Sequence, residues 1–182
     1  MLKRRPLDAP RPEGQKMTFR SIIISIVASA AMACSTVRYT TPPPGAFQPP
    51  RLEYAVLRGR SVQLTVQDHR GDRQESASLV KVTLDGVAQA LSQAGVQIAR
   101  TSDTRLDVRI TAYRADFEMA QWNGCVRLNA TLDAPPRPRS EVPVERCVKK
   151  SNLWGYRGGD DALQQAYSDA LSELLSRVDQ LR

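Results

Sequence analysis

A chain of 182 residues has room for one domain of ordinary size, and with 41% hydrophobic but only 5% aromatic residues its core must be built from aliphatic side chains. The formal charge of +7 is concentrated at the start: residues 1–33 carry six of the 26 basic and two of the 19 acidic residues, leaving 20 and 17 beyond them. A net +3 on the remainder excludes an electrostatic case for nucleic-acid binding.

The first element is an uncharged run from Ile22 to Met32, following Arg20. It is too short to span the roughly 30 Å hydrocarbon layer as a helix. It matches the apolar stretch of a signal peptide in length and ends in the small residues Ala31-Met32-Ala33. Cleavage after Ala33 exposes Cys34. The small residue before a cysteine resembles the lipobox of bacterial lipoproteins, in which that cysteine is acylated, although Ala31 stands where the pattern prefers Leu. Ordinary secretion through the same A-x-A site and a retained short anchor are the alternatives. Translation starts at Met1 or at Met17; the latter gives a compact signal opening Met17-Thr18-Phe19-Arg20.

Residues 34–50 hold Pro42, Pro43, Pro44, Pro49 and Pro50, a density that opposes helix and sheet and favours an extended chain. They read as a tether with a reach on the order of 50 Å. The globular domain then covers residues 51–182.

Within it, Val62, Leu64 and Val66 alternate with polar residues, predicting a half-buried strand over Ser61–Asp68. A charged loop follows. Leu84, Val87, Ala88, Leu91 and Ala94 fall at helical spacing, and Gly95 is positioned to stop that helix. Residues 95–99 read as a short strand. Leu106, Val108, Ile110 and Ala112 alternate, after which the apolar parity changes to Tyr113, Ala115, Phe117 and Met119. Such a phase change predicts a β-bulge near residues 112–115. Asn123-Gly124 is a strong hairpin-turn signal. Val126, Leu128, Ala130 and Leu132 form the next strand, the proline cluster Pro135, Pro136 and Pro138 breaks it, and Val142, Val144 and Val148 mark another.

The last element is a helix whose apolar face runs through Leu163, Ala166, Tyr167, Ala170, Leu171, Leu174, Leu175 and Val178 to Leu181. Asp160 and Asp161 suit its amino end, with Gly158-Gly159 as a flexible lead-in. The order β-α-β-β-β-β-α implies an α+β fold, a mostly antiparallel sheet with two helices packed on one face. No internal repeat is visible.

With Cys34 acylated, Cys125 and Cys147 remain. A cross-strand register pairing them sets Leu128 opposite Val144, Ala130 opposite Val142 and Arg127 opposite Glu145, so core meets core and opposite charges meet. This predicts a disulfide on the solvent side of a hairpin whose loop lies at residues 133–139. If Asn123-Gly124 turns, Trp122 lies near that bridge on the outer face.

No catalytic constellation is evident. His69 is the single histidine and lies in a charged stretch, no G-x-S-x-G elbow is present, and the chain lacks a histidine-rich metal set. No catalytic residue, metal or cofactor is assigned. Trp154 and Tyr156, in the Gly-rich connection Leu153-Trp154-Gly155-Tyr156-Arg157, are candidates for partner contact; alternatively Trp154 covers the open end of the core.

These features together resemble the YajG-type outer-membrane lipoproteins. The likeness lies in the signal ending at Cys34, the proline-rich leader and the strand Val62–Gln67 followed by Asp68-His69-Arg70-Gly71-Asp72. It extends to the helix ending Ala90-Leu91-Ser92-Gln93-Ala94-Gly95, the strand Leu106–Tyr113 and the final helix from Asp161. The resemblance implies an outer-membrane, periplasm-facing lipoprotein, and it carries no catalytic residues because the group has no established activity. The element order is also similar to the lipopolysaccharide-assembly lipoprotein that plugs an outer-membrane barrel, although its Cys-Gly-Phe opening is absent here. The expected role is a non-enzymatic interaction or envelope-assembly module held in the membrane by lipid on Cys34. Its partner would be another envelope protein or a lipid. The alternative is an auxiliary that handles lipid or lipopolysaccharide for a transport machine. An apolar groove between sheet and helices would distinguish the second role from the first.

Overall fold

The computed structural model describes residues 37–39, 47–71, 77–151 and 157–181. In chain order the elements are β1 (Val37–Tyr39), β2 (Ser61–Asp68), α1 (Ala77–Gln93), β3 (Gln97–Ile98), β4 (Arg105–Glu118), β5 (Gln121–Asp133), β6 (Ser140–Ser151) and α2 (Arg157–Asp179). The α+β class and the alternation of elements agree with the sequence reading. The proposed cleavage site at Ala33 and lipid site at Cys34 lie outside the described residues.

The sheet order is β3-β2-β4-β5-β6. β4, β5 and β6 are antiparallel neighbours, whereas β2 runs parallel to both β3 and β4. The parallel pairs follow from the α1 crossover, which returns the chain in the same direction. β2 pairs with β4 only from Arg105 to Ile110. Beyond it β1 pairs antiparallel with β4, Val37 opposite Phe117 and Tyr39 opposite Ala115.

β4 serves both partners because its register against β5 shifts between Ile110 and Ala112. Thr111 is the extra residue, and its Oγ1 donates to the Arg127 carbonyl at 3.3 Å. The bulge lies one residue before the expected window. Its effect is the expected one: buried positions change from Leu106, Val108 and Ile110 to Tyr113 and Ala115.

α1 ends as its sequence dictates. Gly95 has a φ of +78°, its amide donates to the Ser92 carbonyl at 3.0 Å, and the Val96 amide donates to the Leu91 carbonyl at 3.0 Å. This is a Schellman cap, closed by the buried pair Leu91 and Val96. The buried face of α1 is rotated from the expected stripe. It comprises Leu79, Thr83, Gly86, Val87, Ala90 and Leu91, while Leu84 and Ala88 are half-buried. The cause is α2, which packs beside α1 on the same face of the sheet. The Tyr167 hydroxyl lies 2.9 Å from Thr83 Oγ1, which donates to the Leu79 carbonyl at 2.8 Å.

Further expectations fail here. Asn123-Gly124 is not a turn; both residues lie inside β5, paired with Asp116 and Ala115. The chain turns at Met119-Ala120, between the paired Glu118 and Gln121, with φ of 49° and 61°. Two positive φ values define the I′ turn that suits a twisted hairpin. Gly124 serves the packing: a Cβ there would lie 2.5 Å from the backbone of Ala162 and Leu163. Consequently Trp122 is core-facing, 2% exposed, with its ring 4.9 Å from Phe117. It also lies under Gly159, where a Cβ would meet the indole at 2.9 Å. Gly158-Gly159 therefore belongs to the packed first turn of α2 and is not a flexible lead-in.

The second correction concerns the tether. β1 pairs within the sheet, and Phe47 is buried against α1 at Gly86. The fold thus takes in residues assigned to the 34–50 spacer, and Pro42, Pro43 and Pro44 fall in sequence between two of its parts.

At the outer edge, β6 carries Pro143 opposite Asn129, and the Pro143 carbonyl accepts from Arg177 of α2 at 3.0 Å.

Replacing Gly124 with Ala should cost about 3 kcal/mol or more in urea denaturation, because the added carbon meets backbone that cannot move aside. Ala120→Gly should have the opposite sign, gaining up to about 1 kcal/mol by relieving the left-handed alanine.

Candidate functional site

Cys125 and Cys147 face each other across β5 and β6 with Cα atoms 4.2 Å apart and are joined by a disulfide. The register is the one read from the sequence: Leu128 opposite Val144, Ala130 opposite Val142, Arg127 opposite Glu145. Arg127 donates to both carboxylate oxygens of Glu145 at 2.9 Å on the face away from the helices. Both side chains are about half exposed, so this pair marks register and contributes little stability. Cys125 is buried among its sheet neighbours, and Cys147 is exposed.

The interface between sheet and helices is filled by Val62, Leu106, Ile110, Leu128, Leu163 and Leu171, all at most 1% exposed, with their aliphatic neighbours. Tyr113 and Tyr167 meet edge to face there at 6.1 Å. Among the described residues, no cleft opens between these layers to favour a lipid-handling role. A cleft of about 810 Å³ opens instead at the lateral seam of β2 and α1. Val66, Val80 and Leu84 wall it, and Asp68, His69 and Lys81 rim it.

Charge at that rim is largely engaged. Arg70 holds Asp68 through a two-pronged ion pair, closest at 2.6 Å, in which both side chains are nearly buried. Lys81 pairs with Asp85 at 2.6 Å. His69 is exposed, and its Nε2 lies 2.9 Å from Gln67 Oε1. Among the described residues no carboxylate or hydroxyl is hydrogen-bonded to it as in a triad.

A second cleft, about 720 Å³, lies at the opposite end of the sheet around Arg60, Ser61, Ser102 and Arg105. Several of its groups bond one another: Ser102 Oγ donates to the Ser61 carbonyl at 2.6 Å and accepts from the Thr104 amide at 3.1 Å, while Arg60 donates to the Pro135 carbonyl at 3.1 Å. Among the described residues no group of three or more His, Cys, Asp and Glu is arranged to hold a metal, and no helix is long and apolar enough to cross a membrane.

Trp154 and Tyr156 lie outside the described residues. The exposed aromatic surface expected there has a different counterpart: of the described large hydrophobic side chains only Ile98 and Met119 are exposed, Met119 at 99%. Its odd parity with Phe117 made Met119 read as a core residue; the I′ turn sends it outward instead.

No family model matches the chain, and no curated protein resembles it. Solved structures show likeness to the chain. Protein XCC0632 from Xanthomonas campestris, of family DUF330, is 17% identical with a TM-score of 0.50, over 71% of this chain and 91% of that one. The protein CT253 from Chlamydia trachomatis is 8% identical with a TM-score of 0.47, over 65% and 95%. The lipoprotein GNA1162 from Neisseria meningitidis is 14% identical with a TM-score of 0.39, over 65% and 94%. At 17% identity the likeness to XCC0632 concerns the fold alone. The YajG-type resemblance finds no matching model.

Two buried phenols give the fold a pH dependence. Burial raises the pKa of Tyr167 to about 12, against the lowering effect of its bond to Thr83. Burial, then the nearby Asp179 charge, pushes Tyr54 upward as well. Unfolded tyrosine ionises near 10, so the stability they contribute is whole below that pH and is lost as pH rises towards about 12. The urea midpoint should fall over that window, and Tyr167→Phe should flatten the decline. Replacing Cys125 with Ala and Cys147 with Ser opens a loop of 22 residues and should lower stability by roughly 3 kcal/mol in urea denaturation.

Proposed function

We propose that this protein is a lipid-anchored lipoprotein of the outer membrane, facing the periplasm, that acts as a non-enzymatic interaction or envelope-assembly module. The observation that carries this reading is the Cys125–Cys147 disulfide. Disulfides persist in oxidising compartments and are rare in the cytosol. It therefore supports export independently of the apolar run that ends at Ala33 and Cys34. The two together favour a signal peptide cut after Ala33 and acylation of Cys34. Ser35, which is not the Asp that retains such proteins in the inner membrane of enteric bacteria, favours the outer one.

The interaction role is supported by the close packing of the sheet–helix interface among the described residues. A carrier of lipid or lipopolysaccharide needs an apolar space that shelters most of its cargo. Here the apolar walls of Val66, Val80 and Leu84 open sideways beneath a charged rim, which suits a side chain of another envelope protein better than an acyl chain. In these two clefts Ser61 and Ser102, and Gln67 and His69, bond each other.

Radiolabelled palmitate should enter the wild-type chain and not Cys34→Ala, and the labelled protein should be recovered with outer-membrane fractions. Equal labelling of the two would overturn the lipid anchor. Recovery with inner membranes alone would overturn the sorting.

A further inference from the structure

We infer that the β4–β5 hairpin tip, led by Met119, is a membrane-contact site that seats the domain directly on the bilayer holding its lipid. This rests on the reading of Cys34 as acylated.

The first observation is backbone strain in the service of an exposed apolar group. An I′ turn is served best by Asn-Gly, because both central residues must adopt positive φ. This chain places Met119 and Ala120 there, at φ of 49° and 61°. A left-handed conformation costs a non-glycine residue free energy, and nothing is recovered by packing, since Met119 is 99% exposed. The packing of Gly124 accounts for the turn falling here, but not for an apolar residue in it: a long apolar side chain kept in water at the tip of the sheet suits a place that something apolar meets.

The second observation is where the chain leads. Cys34 precedes Val37 by three residues, so whatever conformation they take it lies within about 11 Å of Val37. Val37 pairs with Phe117, two residues from Met119, and an antiparallel strand in that register is reached from the hairpin-tip end. A lipid on Cys34 therefore holds this end of the domain at the bilayer surface. The rest of the sheet extends away, with the connection at residues 134–139 at the opposite end of β5, on the order of 40 Å distant.

The occupant is thus a lipid surface. The charges around the tip argue for apolar contact rather than attraction to anionic headgroups. Lys149 and Lys150 sit opposite Asn123 and Trp122 on β6, but Glu118 flanks the turn and Asp160 and Asp161 open α2 above Trp122.

The test uses the full-length, lipidated protein in phosphatidylcholine vesicles, carrying Met119→Cys or Arg137→Cys labelled with bimane. Both positions are exposed, the second at the far end. Doxyl-labelled lipid should quench the label at 119 several-fold more than at 137, and aqueous iodide should show the reverse order. Equal quenching of the two sites in acylated, vesicle-bound protein would overturn this inference and leave the lipoprotein reading intact. Failure of the protein to acquire palmitate and float with vesicles would overturn both.

Discussion

The extra residue at Thr111 is the constraint on which the rest of the arrangement depends. Before it, β4 buries even-numbered side chains and pairs with β2; after it, odd-numbered side chains face the helices and β1 takes the free edge. Without the shift, Arg114 and Asp116 would face the helices and Tyr113 would face water. Tyr113 meets Tyr167, and Tyr167 bonds Thr83, so the seating of α2 against α1 follows from one residue of sheet register. A bulge also bends and twists its strand, which fits the replacement of one pairing partner by another at this point.

Much of this was legible because it depends on local period. The parity change in β4 announced the bulge. The disulfide register was readable because three kinds of pair, sulfur with sulfur, aliphatic with aliphatic and Arg127 with Glu145, satisfy a single index sum. Gly95 acted as a stop because no packing demand competed with its backbone preference. The failures arise where tertiary packing overrides local preference. Asn123-Gly124 has the better turn chemistry, but α2 approaches β5 so closely that only a residue without a side chain fits at 124. The turn is displaced onto residues with no local preference for it. The stripe of α1 was misjudged because sequence period locates an apolar face but not its neighbour, and Thr83 and Gly86 are buried by what α2 and Phe47 place against them.

The same distinction holds for the candidate site. The cysteines could be found from the sequence, since a strand pair is nearly one-dimensional. The β2–α1 cleft could not, because it exists only where a helix docks against a sheet edge and leaves Val66 partly uncovered. Met119 had a signal that was misread: its parity fitted the core stripe, and only its place in the turn separates it from Phe117. Proline density likewise suggested a stalk, whereas Val37–Tyr39 and Phe47, on either side of Pro42, Pro43 and Pro44, both belong to the fold.

The outer margin of β6 has a consequence for life at high local concentration. Molecules confined to a surface meet one another far more often than molecules in solution, and an open strand margin invites neighbours to extend each other's sheet into fibres. Near the start of β6, Pro143 has no amide hydrogen to offer, and its carbonyl accepts from Arg177. A second copy aligning along this margin finds the run of donors broken at Pro143 and the carbonyl there already engaged. The break works against one copy of the chain extending another's sheet in register across this residue.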